Sequence, residues 1–333
     1  MERCGYVRTT KFVAIAAVLV IGACGTGQVG EDGSDGGQPD PGNKRLALVP
    51  GVQNEPFYIS MQCGAEAEAK ALGYTVDTNA PQKFDATLQE PIVTGLGADK
   101  PAALLIAPTD DVAMTEPIRQ VKDLGVKIVE VDTSLQDRSL AVSTITSNNE
   151  QGGKLAAQTL AELAGDKKGS VLVLDTIAGT STTAARAKGF FDELKNHPNL
   201  KPAGGAQFTQ NEPDQAASKV TAALASTPDL IGIFATNLNT GEGAATGLRN
   251  AGKTGAVSLV GFDASPSEVD GLRSGDFQAL IAQDPATIGK EGVRQAVAAL
   301  KGEPVKRDIE APLVAITKEN MDQNEKFFYK TSC

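Results

Sequence analysis

Side chains that follow predicted strands of this sequence could bind a small polar molecule. Phe57 and Tyr58 stand side by side in the motif NEPFY, shortly after the apolar run RLALVP. Aromatic residues make up only 5% of the chain, so a pair at the end of a strand is a candidate site. The two rings either pack on the start of the first helix or form a platform for a ligand.

The turns after the other predicted strands are rich in Asn, Asp, Thr, Ser and Gln. In open α/β sheets, ligands bind beyond the carboxyl ends of the strands, which is where these turns lie. Arg186 and Gln283 are not helix-capping residues, so capping explains them poorly. Capping does account for four others: Thr109, Asp110, Ser181 and Ser265.

Signatures of catalysis are missing. The single histidine, His197, lies in the turn NHPN with no suitable partner nearby. The sequence has no phosphate-binding loop and no dinucleotide fingerprint. We therefore predict no catalytic residue, no metal site and no cofactor. A pair of carboxylates acting on a glycosidic bond stays open, which keeps a sugar hydrolase among the alternatives.

Short β-branched runs alternate with Ala-rich amphipathic segments along the chain. This alternation predicts βαβ units and parallel sheets covered by helices on both faces. From Lys44 onward the chain is longer than one usual domain, so the sequence predicts two α/β lobes. The predicted strands span residues 45–50, 74–78, 103–107, 127–132, 170–175, 230–235, 257–262 and 279–283.

The first residues have the form of an export signal. Basic residues precede the apolar run FVAIAAVLVIGA, which ends at Cys24. IGAC resembles a lipobox, so we predict cleavage after residue 23 and lipidation of Cys24. The alternative is a plain secretory signal with Cys24 unmodified. Residues 24–43 are mostly Gly, Asp, Gln and Pro and are predicted to form a disordered tether.

Charge and cysteine content limit the partners further. The formal net charge of −10 argues against nucleic acid as a partner. Membrane contact is predicted only through the lipid, on the extracytoplasmic face of the cell membrane.

Cys63 and Cys333 remain in the exported body, where an oxidising compartment favours a disulfide. Two free thiols are the alternative.

Seven segments along the chain share one family pattern: NEPFYISM, LLIAPTD, SNNEQGGKLAA, IAGTSTTAARAKGF, FATN, VGFDASP and IAQDPATIGKEGV. Taken together, they resemble the ribose-binding, type I class of periplasmic sugar-binding proteins. The resemblance implies two lobes joined by three crossovers, which close around a small polar ligand and deliver it to an ABC permease and its ATPase. Repressors of the same fold carry a DNA-binding headpiece where this chain has an export signal.

The resemblance also implies a ligand-binding set. One of the rings of Phe57 and Tyr58 stacks on the sugar, and Phe57 is the first choice. Asp132 accepts hydroxyl hydrogen bonds, and Arg186 donates to ring or hydroxyl oxygens. The whole predicted set is Asn54, Glu55, Phe57, Tyr58, Asp132, Thr133, Ser147, Arg186, Asn211, Asn237, Phe262, Asp263 and Gln283. Asp263 and Asn237 could instead cap helices, and Glu55 could be a solvated residue of the rim.

Departures from the ribose-binding pattern bear on the ligand. Glu55 stands where ribose binders have asparagine, Thr133 where a second arginine is common, and Asn211 where a second stacking ring is usual. We therefore expect a small monosaccharide or polyol other than ribose. The leading hypothesis is a monomeric, lipid-anchored binding protein for import. A sensory binding protein that presents a sugar-like signal, such as a furanosyl autoinducer, to a membrane receptor is the second.

The predicted lobes exchange segments along the chain. Residues 44–147 and 284–312 form the N-terminal lobe, and residues 148–283 and 313–333 form the C-terminal lobe. The expected mechanism is hinge closure, with Asp132 and the 54–58 turn on one lobe and Arg186, Asn237 and Asp263 on the other.

Overall fold

The computed structural model describes residues 42–333, which belong to one compact unit. The predicted export signal, the lipidation at Cys24 and the tether up to residue 41 lie outside the described residues. Among the helices of residues 42–333, none combines the length and apolar character needed to cross a membrane.

The first sheet has six strands in the order β12-β5-β4-β3-β1-β2. All of its neighbouring strands are parallel. Its strands are β1 (Arg45–Val49), β2 (Thr75–Thr78), β3 (Ala103–Ile106), β4 (Lys127–Val131), β5 (Ser143–Ser147) and β12 (Asp308–Ala311).

The second sheet has seven strands, with the order β13-β11-β10-β9-β6-β7 and β8 paired to β6. It is parallel except for β13, which runs antiparallel to β11. Its strands are β6 (Gly169–Asp175), β7 (Leu200–Pro202), β8 (Gln207–Phe208), β9 (Leu230–Ala235), β10 (Ser258–Phe262), β11 (Ala279–Gln283) and β13 (Leu313–Ile316).

Helices cover both sheets and bury the strands, so the core of each lobe lies between sheet and helices. The helices are α1 (Pro56–Leu72), α2 (Ala86–Asp99), α3 (Thr115–Asp123), α4 (Asn149–Ala164), α5 (Ser181–Leu194), α6 (Pro213–Ser226), α7 (Leu238–Asn250), α8 (Pro266–Ser274) and α9 (Pro285–Lys301), followed by a 3₁₀ helix (Met321–Phe327).

The predicted α/β class and its two lobes are confirmed, and every predicted strand is present within one residue at each end. The sequence analysis did not predict five of the observed strands, which are β5, β7, β8, β12 and β13. Of these, β5 reads STITS. This strand buries hydroxyl side chains that bond inside the lobe: Ser143 Oγ donates to Lys306 O, and Thr144 Oγ1 donates to Glu130 Oε2. A strand with a single aliphatic residue has no apolar run to detect.

The chain passes between the lobes at three places within residues 42–333: after β5, after β11 and after β12. Each lobe has a tightly packed helix pair beside these crossings. A Cβ on Gly153 of α4 would lie 1.9 Å from Arg186 O of α5, and one on Gly289 of α9 would lie 2.0 Å from Met61 O of α1. Glycine at these positions lets the two backbones approach.

Candidate functional site

A cavity lies where the carboxyl ends of strands from both sheets face each other. Its lining is mostly polar, with three aromatic rings and one guanidinium. The lining residues are Glu55, Phe57, Tyr58, Phe84, Asp132, Thr133, Thr176, Thr180, Thr182, Thr183, Arg186, Asn211, Asn237, Asp263 and Gln283.

Asp132 reaches the cavity from the end of β4. Its backbone has a φ of 66°, in the left-handed region that a non-glycine residue adopts rarely. The Asp132 N–H donates to Ile145 O of β5 (2.8 Å), and Tyr58 OH donates to Asp132 Oδ2 (2.9 Å). The tyrosine bond orients the carboxylate beside the cavity, where it can accept hydrogen bonds from a ligand.

Asp263 reaches the cavity from the end of β10, also with a positive φ of 103°. Its Oδ1 accepts hydrogen bonds from Gln283 Nε2 (2.8 Å) and Tyr329 OH (2.9 Å). Its Oδ2 accepts from Leu238 N–H (3.1 Å) at the start of α7. The alternative that Asp263 caps the helix of its own segment is wrong, because the N-cap of α8 is Ser265.

Arg186 projects from α5 and is 3% exposed. Its Nε donates to Asn149 Oδ1 (2.8 Å) and its Nη1 donates to Thr236 O (2.8 Å). Its Cζ lies 3.7 Å from the centre of the Phe262 ring. These contacts hold the guanidinium in one orientation, so its unused donors point to a defined place in the cavity.

Acidic groups dominate the electrostatics of the cavity. Loss of solvent, together with the charges of Asp263 and Asp132, raises the pKa of Glu55 to about 8. Burial raises the pKa of Asp132 to about 6, and Arg186 opposes that rise. Burial also raises the pKa of Asp263 against the opposing effect of Arg186. At neutral pH the carboxyl of Glu55 is therefore mostly protonated and can donate a hydrogen bond.

Aromatic rings form one wall of the cavity. The ring of Phe57 meets that of Tyr58 edge-on, with centroids 5.1 Å apart. Phe84, from the loop before α2, lines the cavity as a further ring. A Cβ on Gly51 would lie 2.4 Å from Tyr58 OH and 2.5 Å from Cε2 of Phe84, so a glycine there leaves room for both side chains.

Asn237 has two roles in the structure. Its Oδ1 accepts from Thr240 N–H (3.0 Å) and so caps α7, as the capping alternative held. Its Nδ2 donates to Asn211 Oδ1 (2.8 Å), and both side chains line the cavity.

Thr133 also lines the cavity, while its Oγ1 donates to Pro108 O (2.7 Å) and fixes the turn after β4.

Three residues of the predicted set do not line the cavity. Asn54 is exposed at the turn before α1, with a φ of 61°. Ser147 is buried at the end of β5, where its Oγ donates to Gln283 Oε1 (2.8 Å). Phe262 is fully buried beneath Arg186 and supports that guanidinium. In this structure, Ser147 and Phe262 can act only through their neighbours.

Sequence reasoning missed five lining residues. The turn after β2 contains Phe84, and the rule of strand carboxyl ends would have found that ring. In the segment TIAGTSTT, capping is the explanation for Ser181 alone, yet the N-cap of α5 is Thr180, which makes no side-chain capping bond. Its Oγ1 is buried and has no hydrogen-bond partner among the described residues. The others are Thr176, Thr182 and Thr183.

Direct contacts join the two lobes across the cavity mouth. Lys83 Nζ, after β2, lies 2.8 Å from Glu212 Oε1 at the start of α6. Asp111 N–H donates to Gly179 O (3.2 Å), and Ser134 N–H donates to Ser181 Oγ (3.1 Å). The structure therefore describes the lobes in a closed arrangement.

Two further features bear on the site. Among residues 42–333, no group of three or more His, Cys, Asp or Glu side chains is arranged to hold a metal ion. The sulfur atoms of Cys63 and Cys333 are 2.02 Å apart, a bonding distance, with their Cα atoms 5.3 Å apart.

Comparison with known proteins identifies the family. Residues 46–304 match the model of the periplasmic binding protein domain. The chain belongs to this family. The matched residues begin in β1 and end shortly after α9. They include the strands of both sheets except β12 and β13, and they end before the 3₁₀ helix.

Relatives of this periplasmic binding protein domain agree with the fold. A solved ABC transporter solute-binding protein from Agrobacterium vitis, bound with alpha-D-tagatopyranose, is 38% identical, with a TM-score of 0.83 over 86% of this chain and 99% of that one. A second from the same organism, with bound D-fucose, is 26% identical, with a TM-score of 0.80 over 86% of this chain and all of that one (100%).

A curated relative extends the agreement. The ribose import binding protein RbsB of Escherichia coli K12 is 33% identical over 279 residues, which are 82% of this chain and 90% of that protein. The resemblance to type I periplasmic sugar-binding proteins is thus confirmed.

Proposed function

We propose that this protein captures a small monosaccharide or polyol between its two lobes and delivers it to an ABC importer. The observation that carries the proposal is the cavity itself, which takes carboxylates, a guanidinium and aromatic rings from both sheets. The sugars bound by the relatives are D-tagatose and D-fucose, and the curated relative imports ribose.

The lining groups suit a polyhydroxylated ligand. Asp132 and Asp263 accept hydrogen bonds from sugar hydroxyls, and Arg186 donates to sugar oxygens. The face of a sugar ring packs on the Phe57 ring, while its hydroxyls point sideways to these polar groups. The hydroxyl of Thr180 offers a further hydrogen bond that no described protein group uses.

Closure of the lobes gives the protein its affinity. Asp132, Tyr58 and Phe84 come from the side of the first sheet, and Arg186 and Asp263 from the side of the second. A ligand that touches both groups makes its full set of contacts only in the closed state, and so shifts the population toward closure.

We propose lobe boundaries of 44–147 plus 284–312 and 148–283 plus 313–333, which the strand content of each sheet supports.

Export and anchoring form a separate part of the proposal. The basic and apolar residues before Cys24 support an exported protein, monomeric and held at the extracytoplasmic face of the membrane by a lipid on Cys24. Metabolic labelling with a radioactive fatty acid tests this. We expect label on the full chain, and its loss in Cys24→Ser. Equal labelling of both would contradict the anchor.

The binding proposal is tested by thermal unfolding of residues 44–333 against D-tagatose, D-fucose, D-ribose, further monosaccharides and polyols. A compound that binds the folded state raises the unfolding midpoint with increasing concentration. The protein is first unfolded in denaturant and refolded, so that no carried ligand masks the result. A refolded protein with no midpoint shift for any compound would contradict the proposal.

Transport is tested in cells that carry the protein and its permease. Uptake of the radiolabelled sugar should depend on this protein, and the sugar should be recovered unchanged from the purified complex. Chemical conversion of the sugar would favour an enzyme. Binding without any contribution to uptake would favour a sensory role.

A further inference from the structure

The segment of residues 329–333, here called the C-terminal strap, contacts the second lobe at its first residue. Tyr329 N–H donates to Ala264 O (2.9 Å) in the turn after β10. Its OH donates to Asp263 Oδ1 (2.9 Å) and accepts from Gln283 N–H (3.2 Å). Tyr329 is 5% exposed, so its ring is part of the interior.

The rest of the strap is attached to the first lobe. Lys330 N–H donates to Ser60 Oγ (2.7 Å), and Cys333 is bonded to Cys63. Both partners lie on α1, the helix that also carries Phe57 and Tyr58. The Tyr329 ring meets that of Phe57 edge-on, with centroids 5.7 Å apart. The strap therefore links the lobes in addition to the three crossings.

Tyr329 contributes to the site without lining the cavity. Asp263 is a lining residue, and Tyr329 and Gln283 both donate to its Oδ1. The strap lies beyond residues 46–304, which match the family model. Its contacts therefore lie outside the residues that match the family model.

We propose that Tyr329 is a positioning residue of the ligand site, which orients Asp263, and that the Cys63–Cys333 disulfide holds Tyr329 in place. This inference rests on the proposed function. If Tyr329 is held in this way, the affinity of the protein for its ligand depends on a disulfide that lies outside the cavity. Reduction by a dithiol would break the S–S bond, leave two thiols on the protein, and oxidise the dithiol to its disulfide.

The charges around Asp263 give the role a measurable signature. Asp263 faces Arg186 on α5, Glu268 on α8, Glu55 and Tyr58 on the side of α1, Asp132 after β4, and Tyr329 on the strap. Burial raises the pKa of Asp263, and the hydrogen bond from Tyr329 opposes that rise. Without that bond, Asp263 takes up a proton at a higher pH, and the hydrogen bonds that its uncharged carboxyl accepts from the ligand are weaker.

The first experiment compares Tyr329→Phe with wild-type protein. Binding is measured by calorimetry between pH 5.5 and 8, with whichever of D-tagatose, D-fucose and D-ribose gives the largest midpoint shift. Because hydrogen bonds to charged groups are strong, we expect roughly tenfold weaker binding at neutral pH. The loss should grow as the pH falls. Tyr74→Phe, a tyrosine outside the cavity lining, is the matched control and should bind as wild type.

The second experiment tests the disulfide through Cys333→Ser and the double variant Tyr329→Phe/Cys333→Ser. We expect Cys333→Ser, and wild-type protein treated with dithiothreitol, to bind more weakly with the same pH trend. The double variant should lose little more than Tyr329→Phe, because both changes act through one contact. A Cys333→Ser protein that melts earlier but binds the sugar with wild-type affinity would overturn the coupling.

A readout without ligand separates this inference from the proposed function. The amide of Gln283 donates to Tyr329 OH, so its hydrogen exchange should accelerate in Tyr329→Phe and in Cys333→Ser, but not in Tyr74→Phe. If no sugar binds wild-type protein, the proposed function fails, and this exchange still decides whether the disulfide holds Tyr329 in place. Unchanged exchange in Cys333→Ser would overturn the role of the disulfide.

Discussion

Asp132 and Asp263 occupy equivalent positions in the two sheets and face the same cavity. Each follows the third strand in the order of its sheet, β4 in one and β10 in the other. Each has a positive φ, and each accepts a hydrogen bond from a tyrosine hydroxyl: Tyr58 for Asp132 and Tyr329 for Asp263. Two acidic residues with unfavourable backbone angles, held in the same way on opposite sides of a cavity, indicate a ligand-binding site.

Neutralising either acid should weaken binding strongly. We expect Asp132→Asn and Asp263→Asn each to lower sugar affinity by about 10- to 100-fold, because a hydrogen bond to a charged group is worth about 1.5–3 kcal/mol. Asparagine tolerates a positive φ, so the backbone should keep its conformation. Calorimetric titration measures the affinity, and circular dichroism checks the fold. Wild-type affinity in Asp132→Asn would remove that residue from the site.

The hydroxyl of Thr180 should matter for binding but not for stability. Its Oγ1 has no partner among the described residues, so Thr180→Val removes no described protein hydrogen bond. We expect an unchanged or higher free energy of unfolding and an affinity lower by about three- to tenfold. Thr183→Val is the matched control, since Thr183 Oγ1 is 2.9 Å from Thr176 Oγ1 and its loss should reduce stability. A Thr180→Val protein with unchanged affinity would contradict the role.

Ionisation of Glu55 should make binding depend on pH. The pKa of Glu55 is raised to about 8 in the closed structure from an ordinary value of 4.5. Its contribution to the free energy of unfolding is therefore fully present below pH 4.5 and is lost as the pH rises through 8. Above that pH a third negative charge stands beside Asp132 and Asp263 and opposes closure.

We therefore expect affinity for a neutral sugar to fall between pH 7 and about 9. Glu55→Gln mimics the protonated acid, and so should bind well and show a flatter pH profile in the same titrations. Identical profiles for wild type and Glu55→Gln would show that another group controls the pH dependence.

The ion pair between Lys83 and Glu212 should favour the closed state slightly. Both side chains are largely exposed, at 69% and 46%, so solvent screens the attraction. We expect Lys83→Glu to speed sugar release by less than about fivefold. The double variant Lys83→Glu/Glu212→Lys should restore the wild-type rate. Stopped-flow release at low and high salt measures this, and a double variant that stays as fast as Lys83→Glu would contradict a direct pair.

The close contact of α4 with α5 should control the position of Arg186. A Cβ at residue 153 would overlap Arg186 O at 1.9 Å. We expect Gly153→Ala to lower the free energy of unfolding by about 1–3 kcal/mol and to weaken sugar binding. Gly95→Ala in α2 is the control: its Cβ would meet nothing within 4 Å, and we expect a gain of about 0.5–1 kcal/mol. Chemical denaturation measures both, and equal effects would contradict the packing argument.

Much of the fold follows from local pattern. Strands such as LIGIFA, which coincides with β9, are short, β-branched and buried on both faces, so periodicity and turn residues reveal them. In β5 the buried groups are hydroxyls whose partners lie elsewhere in the lobe, such as Glu130 and Lys306. Local pattern cannot show such partners.

Residue type and order along the chain are enough to predict the fold class, the family and most residues at the carboxyl ends of the strands. The action of each residue depends on its neighbours in the folded chain. Packing places Phe262 under Arg186 and Ser147 against Gln283. It leaves the hydroxyl of Thr180 without a partner among the described residues, and it sets Tyr329 on Asp263. These roles depend on which segments pack together over long separations in sequence, and that packing is a property of the whole folded chain.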